Sequence, residues 1–325
     1  MAILLTGGAG FVAATLIGRL LSSDETVISV DNLSRGSLDS VKTWLDHPSF
    51  AFIRADLSDL AEYCSAIRAA AERDPITEVW HLAANSDIPA GIRDPDVDLR
   101  DTFMTTFNTL KIMDEFGIRR IFFASSSAIY GDLQDTLLTE STGPLFPISN
   151  YGAMKLASEA AITAAAEKFL DRALIFRFPN VVGVPATHGV LLDFMHRLKQ
   201  APGDLQVLGD GTQRKPYLHV TDLVDGMMFL RQHSGAKVEA FNIGPDDDGI
   251  TVGRIAEEVV ACVAPCAKVH FQSGSKGWVG DVPRFRYSTE KLQRLGWTPK
   301  LDSLGAIRRA ITEIADQVFT PATGF

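Results

Sequence analysis

The chain has 325 residues, of which 46% are hydrophobic and 22% are charged. This composition is typical of a globular protein with a sizeable apolar core, and it excludes intrinsic disorder, collagen-like repeats and coiled coils. The formal net charge of −9 gives the chain no overall attraction for nucleic acid or for an anionic membrane. An anionic ligand must therefore be held by local donors.

Neither the cysteines nor the N-terminus indicates export. Cys64, Cys262 and Cys266 are too few for a disulfide framework, and no histidine or second cysteine pair accompanies the last two as a zinc site requires. The N-terminus lacks the basic segment of a signal peptide, and no apolar run is long enough to span a membrane. We therefore expect a cytoplasmic protein without a bound metal.

Short apolar runs alternate with helix-like segments through the first half of the chain. This alternation is typical of a parallel sheet with helices on both faces, the doubly wound α/β arrangement. The predicted strands are Ala2–Leu5, Thr26–Asp31, Phe50–Ala55, Val79–Ala83, Ile121–Ser125 and Ala173–Phe178. The predicted helices are Phe11–Leu21, Leu57–Arg73, Asp101–Phe116 and Tyr151–Phe169.

Beyond about Asn180 the alternation weakens, and glycine and proline become frequent. We therefore predict that residues 1–179 form a doubly wound domain of the Rossmann type, with later returns to it near 215–245. Residues 180–325 are predicted to form mainly a smaller, mixed α/β lobe.

A glycine-rich turn directly follows the first predicted strand and opens the first helix. Residues 6–13 read TGGAGFVA, in which Gly7 permits a tight turn and Gly10 lets backbone amides approach a pyrophosphate at the helix N-terminus. Asp31 ends the second strand, where a carboxylate accepts hydrogen bonds from ribose hydroxyls and repels a 2′-phosphate. This pattern favours NAD over NADP, whereas Arg35 close by is the one residue that could receive a 2′-phosphate.

Tyr151 and Lys155 stand four residues apart and therefore share one face of a predicted helix. Ser149 and Asn150 precede them as a helix-start signal. A tyrosine has an ordinary pKa of about 10, so it needs the Lys155 charge beside it to act as a base at neutral pH. The pair predicts proton abstraction from a hydroxyl whose carbon gives up a hydride.

Together these motifs resemble those of the extended short-chain dehydrogenase/reductase family, the nucleotide-sugar epimerases and dehydratases. TGGAGFVA is similar to the family's TGxxGxxG, with Ala13 in place of the last glycine, and the resemblance extends over essentially the whole chain. It implies NAD as the cofactor and residues 180–325 as the lobe that binds the sugar nucleotide. The cofactor-binding residues that it implies are Gly7, Gly10, Phe11, Val12, Asp31, Asn32, Asp56, Leu57, Leu82, Ala83, Ala84, Tyr151 and Lys155.

The resemblance also implies a third catalytic residue. The family's pattern S/T-x-x-x-Y-G, counted back from Tyr130, selects Ser126. Ser125 and Ser127 are then expected to cap or to form a turn. Asp101 stands where the family usually has an asparagine that supports the catalytic lysine through water, so an acid there would change the pairing of the lysine.

On the substrate side, residues 177–183 (RFPNVVG) and 208–214 (LGDGTQR) resemble family segments that contact the sugar nucleotide. Arg214 is expected to bridge the diphosphate, because its planar guanidinium suits two phosphate oxygens. The resemblance favours UDP as the nucleotide. The substrate-binding residues that it implies are Ser126, Ser127, Asn180, Val190, Leu208, Arg214 and Arg284.

One family arginine has no counterpart in the sequence. Where galactose-type epimerases carry an arginine on the diphosphate, this chain has Trp278. Lys276, Arg284 or Arg286 would have to take over this contact.

The turn after Ser126 separates the reactions of the family. Dehydratases carry an Asp-Glu pair there and UDP-glucuronate decarboxylases a glutamate, whereas this chain has Ser127 and Ala128, which do no acid–base chemistry. The resemblance therefore favours reversible oxidation at C4 of a UDP-hexose or UDP-hexuronate, with hydride return to the other face. Two alternatives stay open: a dehydratase or reductase of the same family, and a non-catalytic NAD-binding regulator.

Alanine recurs along the helix predicted after Tyr151. The resemblance implies a homodimer formed through this helix and the one before Gly117. The alternative is that these alanines pack only on their own sheet.

Overall fold

The apolar runs of the sequence are buried β-strands in the structure, a computed structural model that describes residues 1–134, 136–274 and 282–320. The strands are β1 (Ala2–Thr6), β2 (Thr26–Asp31), β3 (Phe50–Arg54), β4 (Ile76–His81), β5 (Arg120–Ala124), β6 (Leu137–Leu138), β7 (Arg172–Arg177), β8 (Asn180–Val182), β9 (Asp204–Val207), β10 (Arg214–Lys215), β11 (Tyr217–His219), β12 (Val238–Asn242), β13 (Ile250–Thr251), β14 (Lys268–Phe271) and β15 (Arg286–Tyr287). The helices are α1 (Phe11–Leu21), α2 (Leu60–Arg73), α3 (Ile88–Arg93), α4 (Pro95–Asp98), α5 (Thr105–Phe116), α6 (Asn150–Lys168), α7 (Val190–Gln200), α8 (Val220–His233), α9 (Val252–Val263), α10 (Glu290–Arg294) and α11 (Ser303–Phe319).

Seven strands form the central sheet, in the order β12-β7-β5-β4-β1-β2-β3. All the pairs from β3 to β7 are parallel. The chain runs outward from β1 to β3 and then crosses back to β4, so the strand order reverses between β1 and β4. The predicted doubly wound α/β fold of the Rossmann type is therefore confirmed. In such folds ligands bind beyond the carboxyl ends of the strands at the reversal.

Apolar side chains from both the sheet and its helices form the core around these strands. Every residue of β1 is buried, as a strand covered on both faces requires. Ile67 of α2, Ile112 of α5 and Ile162 of α6 are fully buried in one cluster with Leu4 and Ile121. Each side chain of this size contributes about 1.5–3 kcal/mol when it is fully buried.

The chain divides into two compact units. The first comprises Met1–Gly131, Leu145–Arg177 and Met227–Phe241. The second comprises the described residues of Asp132–Pro144, Phe178–Gly226 and Asn242–Phe325. Residues 132–144 belong to the second unit, whereas the sequence predicts them as part of the first domain.

Helices and short sheets together build the second unit, as the prediction of a mixed α/β lobe requires. β8 pairs with β11 and β9 with β14, both in parallel. The helices α7, α9 and α11 bury their apolar faces in a common cluster that includes Met195, Ile255 and Ile311.

Two helices begin differently from what the sequence predicts. α2 begins at Leu60 rather than Leu57, because the Asp59 carboxylate accepts hydrogen bonds from two N–H groups of the first turn. The helix predicted from Asp101 begins instead with a turn of π-helix over Leu99–Met104, and α5 follows it.

Among the described residues, no helix combines the length and the apolar character needed to cross a membrane. In the same part of the chain, no group of three or more His, Cys, Asp or Glu side chains could hold a metal ion. Cys64, Cys262 and Cys266 are free thiols.

Candidate active site

The turn between β1 and α1 packs closely against β2 and against the segment that follows β4. Gly7 has a φ of +69°, and a Cβ there would lie 2.7 Å from the Ala83 backbone. A Cβ on Gly8, a position without an assigned role in the sequence analysis, would collide with the Ser29 hydroxyl. Glycine is therefore required at both positions, by backbone conformation at the first and by close approach at the second.

The N-terminus of α1 has no side-chain cap. Gly10 occupies the cap position, and the first turn contains no acidic residue. By contrast, Asp59 caps α2 and Ser149 caps α6 through their side chains. The N–H groups of the turn that begins with Phe11 and Val12 are therefore available to an anion such as a pyrophosphate.

Asp31 ends β2 and is buried, which raises the pKa of its carboxyl group. Its carboxylate accepts hydrogen bonds from Ala9 N at 3.1 Å and from Leu33 N at 2.7 Å. Each carboxylate oxygen has two lone pairs, so each keeps one for a ribose hydroxyl. Arg35 lies with its Nη1 3.4 Å from the Asp87 carboxylate. This arrangement fits NAD.

The other predicted cofactor residues follow β2, β3 and β4. Asn32 donates a side-chain hydrogen bond to Asp56. Partial burial raises the pKa of Asp56, but the hydrogen bonds from Ser58 and Asn32 outweigh burial and leave this pKa below its usual value. Leu57 is buried, and the segment 82–84 directly follows β4. Because parallel strands end at the same edge of their sheet, these residues lie on the edge where α1 begins.

The structure brings the three predicted catalytic residues together. Tyr151 and Lys155 occupy the first turns of α6, which begins where Ser149 accepts a hydrogen bond from a first-turn N–H. The Ser126 hydroxyl lies close enough to Tyr151 to lower the pKa of its phenol group. The Lys155 Nζ lies 5.9 Å from the centre of the Tyr151 ring and donates to Ala124 O at 2.5 Å.

Close packing of α6 on the turn after β5 produces this convergence. A Cβ on Gly152 would lie 2.6 Å from Ala128 O. Ser126 Oγ accepts a hydrogen bond from Ala128 N at 3.1 Å and caps the turn itself. The expectation that Ser125 caps this turn is wrong: Ser125 is fully buried, and its hydroxyl donates to Glu159 at 2.5 Å.

Burial governs the titration of the catalytic pair. It raises the pKa of Tyr151 to about 12, against the effect of the Ser126 hydroxyl. It lowers the pKa of Lys155, which is 2% exposed, to about 7, although Glu159 and Asp98 act in the opposite direction. A phenolate at Tyr151 therefore depends on a positive charge close to it.

Glu159 belongs to a buried polar network that the sequence analysis missed. Its carboxylate pairs with Arg177, with Nη2–Oε2 at 2.7 Å and Nε–Oε1 at 3.0 Å. Arg177 also donates to the Tyr130 hydroxyl at 3.1 Å. The available signal was the spacing of four residues between Lys155 and Glu159, which places both on one face of α6.

Asp101, at the position predicted to change the pairing of the catalytic lysine, has an ion pair of its own, and the charges that act on the pKa of Lys155 are those of Glu159 and Asp98. The Asp101 carboxylate binds the Arg100 guanidinium at 2.7 and 2.9 Å, in a pair near the surface. The wider π-helical turn places Asp98 and Thr102 in the interior, where both are fully buried. Asp98 is the aspartate whose charge acts on Lys155.

In the second unit, Arg214 and Arg284 lie side by side. Their backbones form a bridge in which Arg214 N donates to Pro283 O at 2.8 Å, and both residues are exposed. Arg286 is paired with the Asp248 carboxylate at 3.0 Å. Of the arginines considered for the missing diphosphate contact, Arg284 is the one that lies beside Arg214.

The remaining predicted substrate residues occupy separate elements of the second unit. Asn180 begins β8, Val190 begins α7, and Leu208 follows β9 with 44% of its surface exposed. Lys276 and Trp278 lie outside the described residues.

Residues 3–244 match the sequence model of the NAD dependent epimerase/dehydratase family. A UDP-glucose 4-epimerase of Corynebacterium glutamicum is 30% identical over 100% of this chain and 97% of its own. The crystal structure of a UDP-galactose 4-epimerase has a TM-score of 0.85 and 32% identity, and covers 98% of this chain and 100% of that chain. The UDP-glucose 4-epimerase of Thermus thermophilus in complex with NAD has a TM-score of 0.83 and 27% identity, covering 96% of this chain and 98% of that chain. The chain therefore belongs to the NAD-dependent epimerase/dehydratase family and uses NAD as its cofactor.

Proposed function

We propose that this protein epimerises a nucleotide sugar at C4, a UDP-hexose or a UDP-hexuronate, through a transient 4-keto sugar. The observation that carries the proposal is the meeting of Tyr151, Ser126 and Lys155 at the start of α6. The family includes epimerases and dehydratases, so its membership alone does not decide the reaction.

Each catalytic side chain has a distinct task. NAD, held by the glycine turn at Gly7 and Gly10 and by Asp31, would supply the acceptor and donor for the hydride of C4. The Tyr151 oxygen accepts the proton of the C4 hydroxyl, and the Lys155 ammonium stabilises the phenolate beside it. Ser126 Oγ already accepts a bond from Ala128 N, so its own proton is free for the oxygen of the sugar or of Tyr151.

The composition of the turn after Ser126 supports epimerisation rather than dehydration. Loss of water from a 4-keto sugar needs an acid and a base at C6 and C5, and Ser127 and Ala128 provide neither. Tyr130, the last residue of the turn, has its hydroxyl bound to Arg177. The reaction that remains for a sugar oxidised at C4 is then return of the hydride to that carbon.

The exposed arginines of the second unit suit the diphosphate of the substrate. Arg214 and Arg284 carry parallel N–H donors that can bind phosphate oxygens in pairs. We assign the diphosphate to these two residues. Ser126, Ser127, Asn180, Val190 and Leu208 complete the proposed substrate contacts.

We further propose that the protein is a homodimer formed through α5 and α6. Phe107 of α5 is 43% exposed and stacks on Phe103, and Ala160 and Ala164 of α6 are exposed as well. Small residues beside an exposed aromatic ring allow helices of two copies to approach closely. Light scattering at micromolar concentration tests this arrangement, and a monomeric mass contradicts it.

The function is tested by proton NMR of the purified protein in D₂O, with UDP-glucose and separately with UDP-glucuronate and without added cofactor. We expect the C4 epimer of one of these sugars, with no deuterium on the sugar carbons, because the hydride is returned within the protein. The matched control is Tyr151→Phe under the same conditions.

A 4-keto-6-deoxy product that carries deuterium would identify a dehydratase and contradict the proposal. Absence of conversion with both sugars, in protein that contains NAD, would contradict the assignment of the substrate while leaving the family membership unaffected.

A further inference from the structure

A second carboxylate lies in the interior next to the catalytic pair. Asp98, the last residue of α4, is fully buried. Its Oδ1 accepts a hydrogen bond from Asn85 Nδ2 at 2.8 Å, and its Oδ2 has no hydrogen-bond partner among the described residues. A buried carboxylate oxygen without a donor is costly unless a positive charge compensates it.

The packing around Asp98 connects it to the start of α6. Gly91 covers the carboxylate so closely that a Cβ there would lie 2.5 Å from the Asp98 Cγ. The carbonyl oxygen of Gly91 accepts a hydrogen bond from Asn150 Nδ2 at 2.8 Å. Asn150 is the first residue of α6 and directly precedes Tyr151, so Asp98 and the catalytic pair are held in one packed unit.

The acids near Asp98 have partners of their own. Asp87 lies within 3.4 Å of Arg35, and Asp101 forms two hydrogen bonds with Arg100. Glu159, the other carboxylate that acts on Lys155, is bound by Arg177 and Ser125.

Burial raises the pKa of the Asp98 carboxyl group, and the charges of Asp101 and Asp87 act in the same direction, whereas the positive charge of Lys155 lowers it. The other groups that face Lys155 are Tyr151 and His81. Burial lowers the pKa of His81 to about 3, so this imidazole is neutral and adds no second positive charge beside the lysine.

We propose that Asp98 is a positioning residue whose carboxylate keeps Lys155 charged and sets the pH range in which the Tyr151–Lys155 pair works. The proposal rests on the proposed epimerase function for its catalytic meaning. A negative charge favours the charged form of a lysine and disfavours a phenolate. Removing the Asp98 charge therefore makes both Lys155 and Tyr151 lose their protons at lower pH.

The test follows Lys155 by ¹³C NMR of the protein as purified with NAD, with the lysines labelled at Cε and the Lys155 signal assigned with Lys155→Met. In Asp98→Asn, which keeps an acceptor for Asn85, we expect the Lys155 midpoint to fall by about 1 pH unit. The matched control is Asp101→Asn, three residues along the chain, which removes a carboxylate that Arg100 already neutralises. In this control the midpoint should stay at its wild-type value.

A reciprocal measurement does not depend on the folding of Asp98→Asn. In Lys155→Met, labelled at the Asp carboxyl carbon, the Asp98 midpoint should rise by the same amount, because coupling between two sites is mutual. A purely structural Asp98 would move neither titration, and two unmoved midpoints overturn the proposal. Both titrations use no sugar, so they stand even where the proposed epimerisation fails.

The kinetic consequence is a separate measurement. For the active enzyme, the acidic and the alkaline limb of the rate profile should both shift to lower pH in Asp98→Asn and stay in place in Asp101→Asn. A lower rate with unshifted limbs would contradict the proposal.

Discussion

The two units of the chain treat their charged groups in opposite ways. In the first unit, Lys155, Glu159 and Asp98 are buried, and hydrogen bonds or neighbouring charges fix their positions. In the second unit, Arg214 and Arg284 are exposed. Burial changes the pKa of a group and gives it chemical reactivity, whereas exposure leaves an arginine charged and able to bind an anion. This difference fits the proposed function, in which the first unit performs the proton transfer and the second holds the substrate.

The largest effect should come from the first unit. Tyr151→Phe removes the oxygen that accepts the proton, so we expect kcat to fall by about 10²–10⁴-fold with NAD still bound. The initial rate of C4 epimer formation and the NAD content of the purified variant are measured together. Tyr130→Phe is the matched control, because it removes another buried tyrosine hydroxyl, one that accepts a hydrogen bond from Arg177. Equal losses in both variants would contradict the assigned role of Tyr151.

A smaller effect should come from the second unit. Arg214→Ala removes charge-assisted hydrogen bonds to the diphosphate, each worth about 1.5–3 kcal/mol, so KM should rise by roughly 10–100-fold. The value of kcat should change much less, because the lost contact is the same before and during the reaction. In the control Arg286→Ala, the lost guanidinium is already paired with Asp248, and KM should change little. A fall in kcat at constant KM in Arg214→Ala would place this arginine in the chemical step instead.

The smallest effect is a pH-dependent change in stability. The pKa of Lys155 is lowered from 10.5 to about 7 in the folded protein, so the unfolded chain binds more protons between these pH values. Stability therefore rises with pH across this window, and the cost of burying the charge is complete below it. We expect Lys155→Met to raise Tm more at pH 6 than at pH 10, by scanning calorimetry. Lys168→Met, at an exposed position of the same helix, should give no such difference; a gain independent of pH in Lys155→Met would contradict the lowered pKa.

The sequence predicted the strands of the central sheet closely, and the reason is physical. A strand buried on both faces must be largely apolar, so the strand at Ala2–Leu5 is recognisable without knowledge of its neighbours. The glycine turn and the pair of Tyr151 and Lys155 could also be predicted from the sequence, because their spacing reflects local backbone geometry. The role of Gly8 was not, since only the packed structure brings Ser29 against it.

The buried acids of the active site could not be assigned from the sequence. Asp98 and Asp101 are both aspartates in a helical segment, and the π-helical turn decides which of them faces the interior. Ser125 and Ser126 are likewise adjacent and chemically alike. Ser125 donates a hydrogen bond to Glu159, which is paired with Arg177. Ser126 lies beside Tyr151 because α6 packs on the turn that contains this serine. Which of two similar residues faces the active site depends on contacts between residues that are far apart in the sequence.

The absence of a side-chain cap at the start of α1 has a consequence for how the protein retains its cofactor. Asp59 and Ser149 supply acceptors for the first turns of α2 and α6, whereas at Gly10 the pyrophosphate of bound NAD would be the acceptor for the first-turn N–H groups of α1. A dinucleotide bound in this way acts as part of the fold. For a reaction that restores the oxidised nicotinamide in every cycle, such retention makes turnover independent of the cell's ratio of oxidised to reduced nucleotide. The protein would then retain the NAD that it needs as oxidant and reductant, and its rate would depend on the concentration of the sugar substrate alone.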